Sequence, residues 1–140
     1  MRNALIYLCI NREMHKNFDA VYDEQNIACL EVAREYLLTI HGTYYDFRGR
    51  LYNERRKGLG SIFQRLHRGK PYCIIIQNIS VISPHREIQI RLLEPFRRLK
   101  TVKFLEAETW DGGSDVLKQL GLDYNQLELD LAQLTEDRNV

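Results

Sequence analysis

The run from Tyr72 to Ile79 constrains the fold of this chain more than any other stretch. Its apolar side chains occupy both odd and even positions, so a strand formed here is buried on both faces. Strands buried on both faces are typical of the middle of a parallel sheet that helices cover on each side. The run therefore predicts a central parallel strand.

The rest of the chain alternates between strand-like and helix-like stretches, which favours an α/β fold. The predicted architecture is a mainly parallel central sheet with helices on both faces, a three-layer α/β/α arrangement. The predicted strands cover residues 3–10, 43–47, 72–79 and 101–107.

Three helices are predicted between the strands and one after them. The first has an apolar stripe at three- and four-residue spacing and ends at His41, with Gly42 as its left-handed cap. Others span Leu59 to about His67, Glu87 to Lys100, and a short stretch that Ser114 and Asp115 begin and that ends near Leu120. The predicted stripe of the first helix is Ile27, Leu30, Ala33, Leu37 and Ile40, and that of the third is Ile88, Leu92, Phe96 and Leu99.

The composition is that of a globular domain. The chain has 140 residues, of which 44% are hydrophobic and 28% charged, and no apolar run approaches the roughly 20 residues that cross a bilayer. Cys9, Cys29 and Cys73 lie in apolar or helical runs without metal-ligand spacing, which predicts buried, reduced thiols in a cytoplasmic protein. No glycine-rich phosphate fingerprint occurs, so no cofactor is predicted.

The charges are unevenly distributed. Residues 106–140 hold nine acidic and two basic side chains, whereas residues 1–105 hold 18 basic and 10 acidic ones. A basic body suits a phosphate-bearing partner, although a solvated surface is an equally good interpretation. The predicted contacts to nucleic acid are Arg48, Arg50, Arg55, Arg56 and Lys57.

The C-terminal residues repeat apolar side chains with alternating four- and three-residue spacing over two heptads. This spacing is typical of a helical seam between two chains, and it also suits a helix that packs on its own sheet. The predicted dimer interface consists of Leu120, Tyr124, Leu127, Leu131 and Leu134.

Four motifs are similar in order and spacing to the catalytic domain of the serine recombinases, a family that includes resolvases and invertases. They are residues 6–12 (IYLCINR), residues 45–49 (YDFRG), residues 56–59 (RKGL) and residues 74–84 (IIIQNISVISP). Members of the family have the motif Tyr-x-Arg-x-Ser at the end of the first strand and the motif Asp-Arg-Leu-x-Arg after a later strand. The resemblance covers roughly residues 4–111 and implies a resolvase-like fold.

The same comparison implies that the chemistry is missing. Asn11 stands at the nucleophile position and Cys9 at that of its partner arginine, while the later motif has Ser80, Val81 and Pro84 in place of the aspartate and two arginines. Arg56 matches a family arginine. The resemblance therefore implies a degenerate site without a catalytic residue. Residues 1–111 are predicted to form the recombinase-like domain and residues 112–140 an acidic helical segment that dimerises, with no separate DNA-binding domain.

Two functions remain open at this point. The first is an inactive dimerisation, partner-binding or regulatory module linked to DNA recombination or a mobile element. It would pair with itself, an active recombinase or another protein, and it would bind DNA weakly and without membrane association. The alternative is a small flavodoxin-like enzyme that uses an unrecognised nucleophile. The candidates for that nucleophile are Cys9, Ser61, Ser80 and Ser83, the last with His85 as a base.

Overall fold

A computed structural model describes residues 2–11, 17–49, 55–68, 70, 72–109 and 114–124. Its elements are β1 (Asn3–Asn11), α1 (Phe18–Glu35), β2 (Thr39–Arg48), α2 (Lys57–Leu66), β3 (Tyr72–Ile76), α3 (Ile79–Ile82), α4 (Arg86–Leu93), a 3₁₀ helix (Glu94–Arg98), β4 (Val102–Glu106) and α5 (Asp115–Gln119). Within the described residues, no helix is both long and apolar enough to cross a membrane.

The four strands form one parallel sheet in the order β2-β1-β3-β4. The predicted α/β fold with a parallel sheet is confirmed, and β3 lies inside the sheet as its apolar run predicts. The strand is shorter than predicted, because it ends at Ile76 and the chain turns into α3 at Ile79. The side chain of Asn78 accepts a hydrogen bond from the amide of Ser80 at 3.0 Å and so caps this short helix.

Two hydrophobic clusters lie on opposite faces of the sheet. Helices α2, α4 and α5 contribute to the first cluster, together with Phe96 of the 3₁₀ helix and Leu122. Helix α1 covers the other face, where Tyr124 joins it. The three-layer arrangement is thus built from one helix on one face and several on the other. The predicted domain boundary at residues 111 and 112 stays a prediction, although residues 114–124 supply side chains to both clusters.

The predicted stripe of the first helix is wrong except at Ala33, which is buried. Helix α1 begins at Phe18 and ends at Glu35, and its buried residues are Gln25, Cys29, Val32 and Ala33. Ile27, Leu30 and Leu37 are 54%, 43% and 74% exposed, and Ile40 lies in β2. The predicted glycine cap is also wrong, because Leu37 takes the left-handed conformation (φ 57°) and Gly42 lies inside β2.

The third predicted helix is interrupted. Helix α4 ends at Leu93, and Pro95 lies in the first turn of the 3₁₀ helix that follows, where its missing amide hydrogen disrupts no helical bond. The side chains that face the core most closely are Gln89, Leu93 and Phe96. Of the four predicted inward positions, Phe96 is buried, Leu92 and Leu99 are partly buried against the cluster, and Ile88 is partly buried without belonging to it.

The predicted C-terminal seam is wrong in its first half. Helix α5 ends at Gln119 and Gly121 adopts φ 69°, so Leu120 and Tyr124 do not share a helical face. Both side chains are buried in the monomer, on opposite faces of the sheet, and are therefore unable to line a surface seam. Leu127, Leu131 and Leu134 lie outside the described residues.

Candidate functional site

The carboxyl ends of the parallel strands enclose a cavity of about 170 Å³. It brings together five of the predicted site residues from distant parts of the sequence, because the ends of neighbouring parallel strands meet at one edge of a sheet. Pro84 does not line the cavity and lies on a neighbouring surface. The lining residues are Cys9, Asn11, Val21, Glu24, Gln25, Arg48, Gln77, Ser80 and Val81.

Beneath this cavity, Asp46 ties three elements together. Its carboxylate accepts hydrogen bonds from the Tyr7 hydroxyl at 2.7 Å, the Gly58 amide at 2.6 Å and the Leu59 amide at 2.9 Å. The two amides belong to the first turn of α2, so Asp46 satisfies donors that the helix itself leaves without partners. Burial is the main reason that the pKa of Tyr7 is raised far above its ordinary value, so its hydroxyl remains a donor.

Cys9 is held from both sides. The Gln25 side chain pairs with its backbone, accepting from the amide at 3.1 Å and donating to the carbonyl at 2.9 Å. The Arg56 guanidinium donates to Cys9 Sγ over 2.9 Å. Burial raises the pKa of the Cys9 thiol, while the positive charges of Arg56 and Arg48 act in the opposite direction. Cys9 as a residue is only 2% exposed, which leaves little access for a substrate.

The serine hydroxyls at this edge also bond to protein atoms. Ser80 Oγ donates to the Asn78 side chain, and Ser83 Oγ accepts from the backbone amide of His85 at 3.1 Å. The predicted use of the His85 ring as a base for Ser83 stays a prediction. Ser61 lies on α2, where its hydroxyl donates to the Lys57 carbonyl at 2.9 Å. Of the candidate serines, only Ser80 lines the cavity.

Two solved structures share this arrangement of strands and helices. The C-terminal catalytic domain of ISC1926 TnpA, an IS607-like serine recombinase, is 18% identical with a TM-score of 0.60, covering 77% of this chain and 71% of that one. The N-terminal catalytic domain of TP901-1 integrase is 15% identical with a TM-score of 0.60, covering 93% of this chain and 98% of that one. This chain has a serine-recombinase-like fold. No protein-family model and no curated protein sequence matches it.

The fold explains why some motif residues of the serine recombinases are present in this chain. The Asp46, Gly58 and Leu59 positions that the chain retains are those that join β2 to α2. Gly58 is needed at this junction, because a Cβ atom built on it would lie 2.5 Å from the Tyr45 carbonyl oxygen. The retained motif residues thus support the scaffold of the serine-recombinase-like fold.

The basic residues predicted to contact nucleic acid divide into two groups. Arg55 and Lys57 are exposed. Arg48 and Arg56 are partly buried and hydrogen-bonded to the protein, Arg48 Nε to the Val81 carbonyl at 3.0 Å and Arg56 to Cys9. Arg50 lies outside the described residues. Within the described residues, no three His, Cys, Asp or Glu side chains are grouped so that they could hold a metal ion.

Sequence reasoning missed three polar residues that shape this edge. Gln25 lies on the buried face of α1, and the predicted stripe placed this face towards solvent. Gln77 Nε2 donates to Glu108 at 3.1 Å, and Glu106 accepts from the amides of Ile79 and Ser114, both at 2.9 Å. Burial is the largest cause that raises the pKa of Glu106. A polar residue at the carboxyl end of an apolar strand is the signal that identifies such positions: Gln77 directly follows β3, and Glu106 is the last residue of β4.

Proposed function

We propose that this chain is a catalytically inactive serine-recombinase-like domain that works as a dimerisation, partner-binding or regulatory module, linked to DNA recombination or a mobile element. The observation that carries the proposal is the contact between Arg56 and Cys9. The arginine that the motif retains donates to a buried thiol at 2.9 Å instead of standing beside a nucleophilic hydroxyl. Asn11, at the end of β1, lines the cavity at the position where the resemblance expects a serine.

Strand cleavage needs a hydroxyl nucleophile and positive charge around the scissile phosphate. An asparagine side chain is an amide without such a hydroxyl, and Val81 and Pro84 carry no charge. Removal of a single group that stabilises transition-state charge typically costs about 10²–10³ in rate. Loss of the nucleophile together with the three arginine positions Cys9, Val81 and Pro84 therefore leaves no measurable cleavage.

The alternative of a thiol enzyme is less well supported. A thiolate is the reactive form of cysteine, and burial raises the pKa of Cys9, which keeps the thiol protonated at neutral pH. The cavity beside it, about 170 Å³, is smaller than the roughly 300–1,000 Å³ of typical small-molecule sites. All three cysteines are buried thiols, which supports the reducing cytoplasm as the place of action.

The proposed inactivity is tested by trapping covalent protein–DNA adducts. Wild-type protein is incubated with nicked duplexes of random sequence and with total genomic DNA of its native host, and linked nucleotides are sought by mass spectrometry. We expect no adduct for wild type. The single variant Asn11→Ser is expected to remain inactive, because the charges at positions 81 and 84 are still missing. An adduct that forms with wild type and disappears in Asn11→Ala, Cys9→Ala or Ser80→Ala would overturn the proposal.

We further expect DNA binding to be weak, indifferent to sequence and steeply dependent on salt. Each phosphate that the protein no longer neutralises lowers the slope of log K against log salt by about 0.9. The double variant Arg55→Ala, Lys57→Ala should therefore reduce the slope by about 2, measured by fluorescence anisotropy. Arg97→Ala, Arg98→Ala removes the same charge from the exposed 3₁₀ helix and is the matched control. Discrimination between two sequences, or a slope that is equal in all three proteins, would contradict this prediction.

A further inference from the structure

A second concavity, of about 560 Å³, lies on the α2 face of the sheet and shares no lining residue with the cavity at the strand ends. Helical spacing explains its two walls. Residues 59, 60, 63 and 64 form one side of α2, and residues 91, 92, 95 and 96 form the facing side of α4 and the 3₁₀ helix. Residues three and four apart lie on the same side of a helix, so each set makes a continuous wall. We call this concavity the α2–α4 groove.

The floor of the groove is apolar and partly aromatic. Leu59 and Phe96 are buried in the cluster beneath it, and Phe63 packs against that cluster while it remains partly exposed. The rings of Phe63 and Phe96 meet edge to face with centroids 5.5 Å apart. Phe96 makes a second edge contact with Phe104, at a centroid distance of 5.3 Å. A flat ligand ring would extend this series, since aromatic rings attract one another in offset and edge-to-face geometries.

Positive charge borders the same groove. Arg55 and Arg56 precede α2, Arg91 lies on α4, and all three line the concavity. Among the described lining residues there is no carboxylate that would balance them. Three guanidinium groups around an apolar floor favour an anion. A carboxylate suits them well, because it accepts two parallel hydrogen bonds from one guanidinium.

Arg56 is held in place before any ligand binds. Its guanidinium donates to Cys9 Sγ over 2.9 Å, which fixes the end of a long side chain. A guanidinium has five N–H donors, so a single bond to sulfur leaves it able to serve a second acceptor. A side chain that is already ordered loses less conformational entropy on binding. Arg56 also connects the two concavities, because it lines the groove and contacts Cys9 of the strand-end cavity.

We propose that the α2–α4 groove binds a small aromatic carboxylate, a compound with one or two fused rings and a single acid group. The inference goes beyond the proposed function and does not rest on it. A volume of about 560 Å³ lies within the roughly 300–1,000 Å³ of typical small-molecule sites, which combine an apolar lining with a few polar groups. A helical peptide is about 10–12 Å across, so only a few of its side chains would enter this volume. A nucleic-acid backbone would use the arginines and leave the apolar floor uncovered.

The probe is 2-naphthoate, whose roughly 13 non-hydrogen atoms support a dissociation constant of about 1 mM or lower. Amide shifts in a proton–nitrogen correlation spectrum of the full chain report its binding. We expect saturable shifts centred on Phe63 and Leu92. The matching alcohol, 2-naphthalenemethanol, has the same rings without the charge and should bind at least about tenfold more weakly. Decahydro-2-naphthoate keeps the acid and the size but has no aromatic ring, and should bind about threefold more weakly.

Gly60 and Ser61 provide a matched pair of variants. Gly60 lines the groove, and a Cβ atom built on it would meet no atom within 4 Å, so Gly60→Phe adds a ring to the wall without a clash at its base. Ser61 is the next residue of α2, is exposed and lies outside the described lining. Gly60→Phe should weaken binding of the naphthoate at least about tenfold, because its ring occupies the space of the ligand. Ser61→Phe adds the same ring beside the groove and should bind like wild type.

Removal of charge keeps the test informative if Gly60→Phe does not fold. Arg55 and Arg91 are both exposed, so their substitution leaves the core intact. The double variant Arg55→Gln, Arg91→Gln should weaken binding of the naphthoate about tenfold and leave that of the alcohol unchanged. Arg97→Gln, Arg98→Gln removes the same charge from the 3₁₀ helix outside the described lining, and should change neither affinity.

Several outcomes would overturn the inference. One is the absence of saturable shifts with millimolar naphthoate, and another is equal affinity for the acid and the alcohol. Unchanged binding by a folded Gly60→Phe protein, or shifts centred on the strand-end cavity, would place the ligand elsewhere. Equal binding of the saturated acid would reject the aromatic class. An acidic peptide that binds where the naphthoate does not would assign the groove to a partner protein. None of these results bears on DNA cleavage, which the adduct experiment tests separately.

Discussion

Replacement of Asp46 by alanine is expected to lower the free energy of unfolding by about 4 kcal/mol, since it removes three hydrogen bonds to a charged acceptor. The carboxylate is 7% exposed and accepts from Tyr7, Gly58 and Leu59. Its removal leaves a buried hydroxyl and two amides at the start of α2 without their acceptor. A domain of this size has only about 5–15 kcal/mol of stability in total, so a large part of the margin is lost.

Urea unfolding followed by circular dichroism measures this loss. Tyr7→Phe is the companion variant, because it removes the hydroxyl together with its bond and should cost only about 1 kcal/mol. The double variant should lose less unfolding free energy than the sum of the two single losses, because in the Tyr7→Phe background Asp46→Ala no longer leaves a hydroxyl without its acceptor. A loss below about 1 kcal/mol for Asp46→Ala would mean that water replaces the carboxylate and that this junction does not hold the fold together.

Gly58→Ala and Gly60→Ala, two residues apart on α2, are expected to have opposite effects on stability. The added methyl at Gly58 would lie 2.5 Å from the Tyr45 carbonyl oxygen, and this contact is with backbone that no rotamer change relieves. Overpacking of this kind costs about 1–3 kcal/mol, and we expect the upper end because the shift would also disturb the bonds to Asp46. Gly60 meets nothing within 4 Å, so alanine there should add up to about 1 kcal/mol.

The same unfolding measurement tests the glycine pair. Both variants remove one helical glycine and add one methyl group, so any difference between them reports the close approach of α2 to β2. Equal stabilities of the two variants would show that α2 can move away from β2 at little cost. The prediction also distinguishes a structural role of the retained motif from a chemical one. A residue kept only for chemistry would tolerate a methyl group without loss of stability.

These two predictions concern how a serine-recombinase-like scaffold is held together beside the degenerate site that we propose. Three residues hold β2 and α2 together. The Gly58 and Leu59 amides donate hydrogen bonds to Asp46, and Gly58 allows the close approach of the two elements. Substitutions such as Asn11 and Val81 lie at the cavity edge. We expect the fold to depend on the first group far more than on the second, so the proposed loss of chemistry would leave the architecture in place.

Much of the sheet was predictable from the sequence, but the face of α1 that is buried was not. The apolar runs of β1 and β3 require burial on both faces whatever their neighbours, and this property predicts central parallel strands. Helix α1 also contains apolar residues on its outer side, so the spacing of Ile27 and Leu30 indicated the wrong face. Gln25 faces the core because it pairs with the backbone of Cys9, a partner that no spacing reveals.

The candidate site shows the same division. The motifs indicated that Cys9, Asn11, Ser80 and Val81 belong to one region, because parallel strands end at a common edge. The contact of Arg56 with the Cys9 thiol and that of Arg48 with the Val81 carbonyl depend on how α2 and α3 approach the sheet. Pro84 was grouped with them by its motif, yet the turn after α3 carries it to another surface.

The sequence by itself determined the fold class, the central strands and the absence of a serine at position 11, since these depend on residue type and on local periodicity. Only the tertiary structure decided which face of α1 is buried, where Leu120 and Tyr124 pack, and which partners the arginines find. Such contacts join residues far apart in the chain, and their energies depend on distances between elements. Leu120 and Tyr124 are four residues apart, yet Gly121 turns the chain between them and sends them to opposite faces of the sheet.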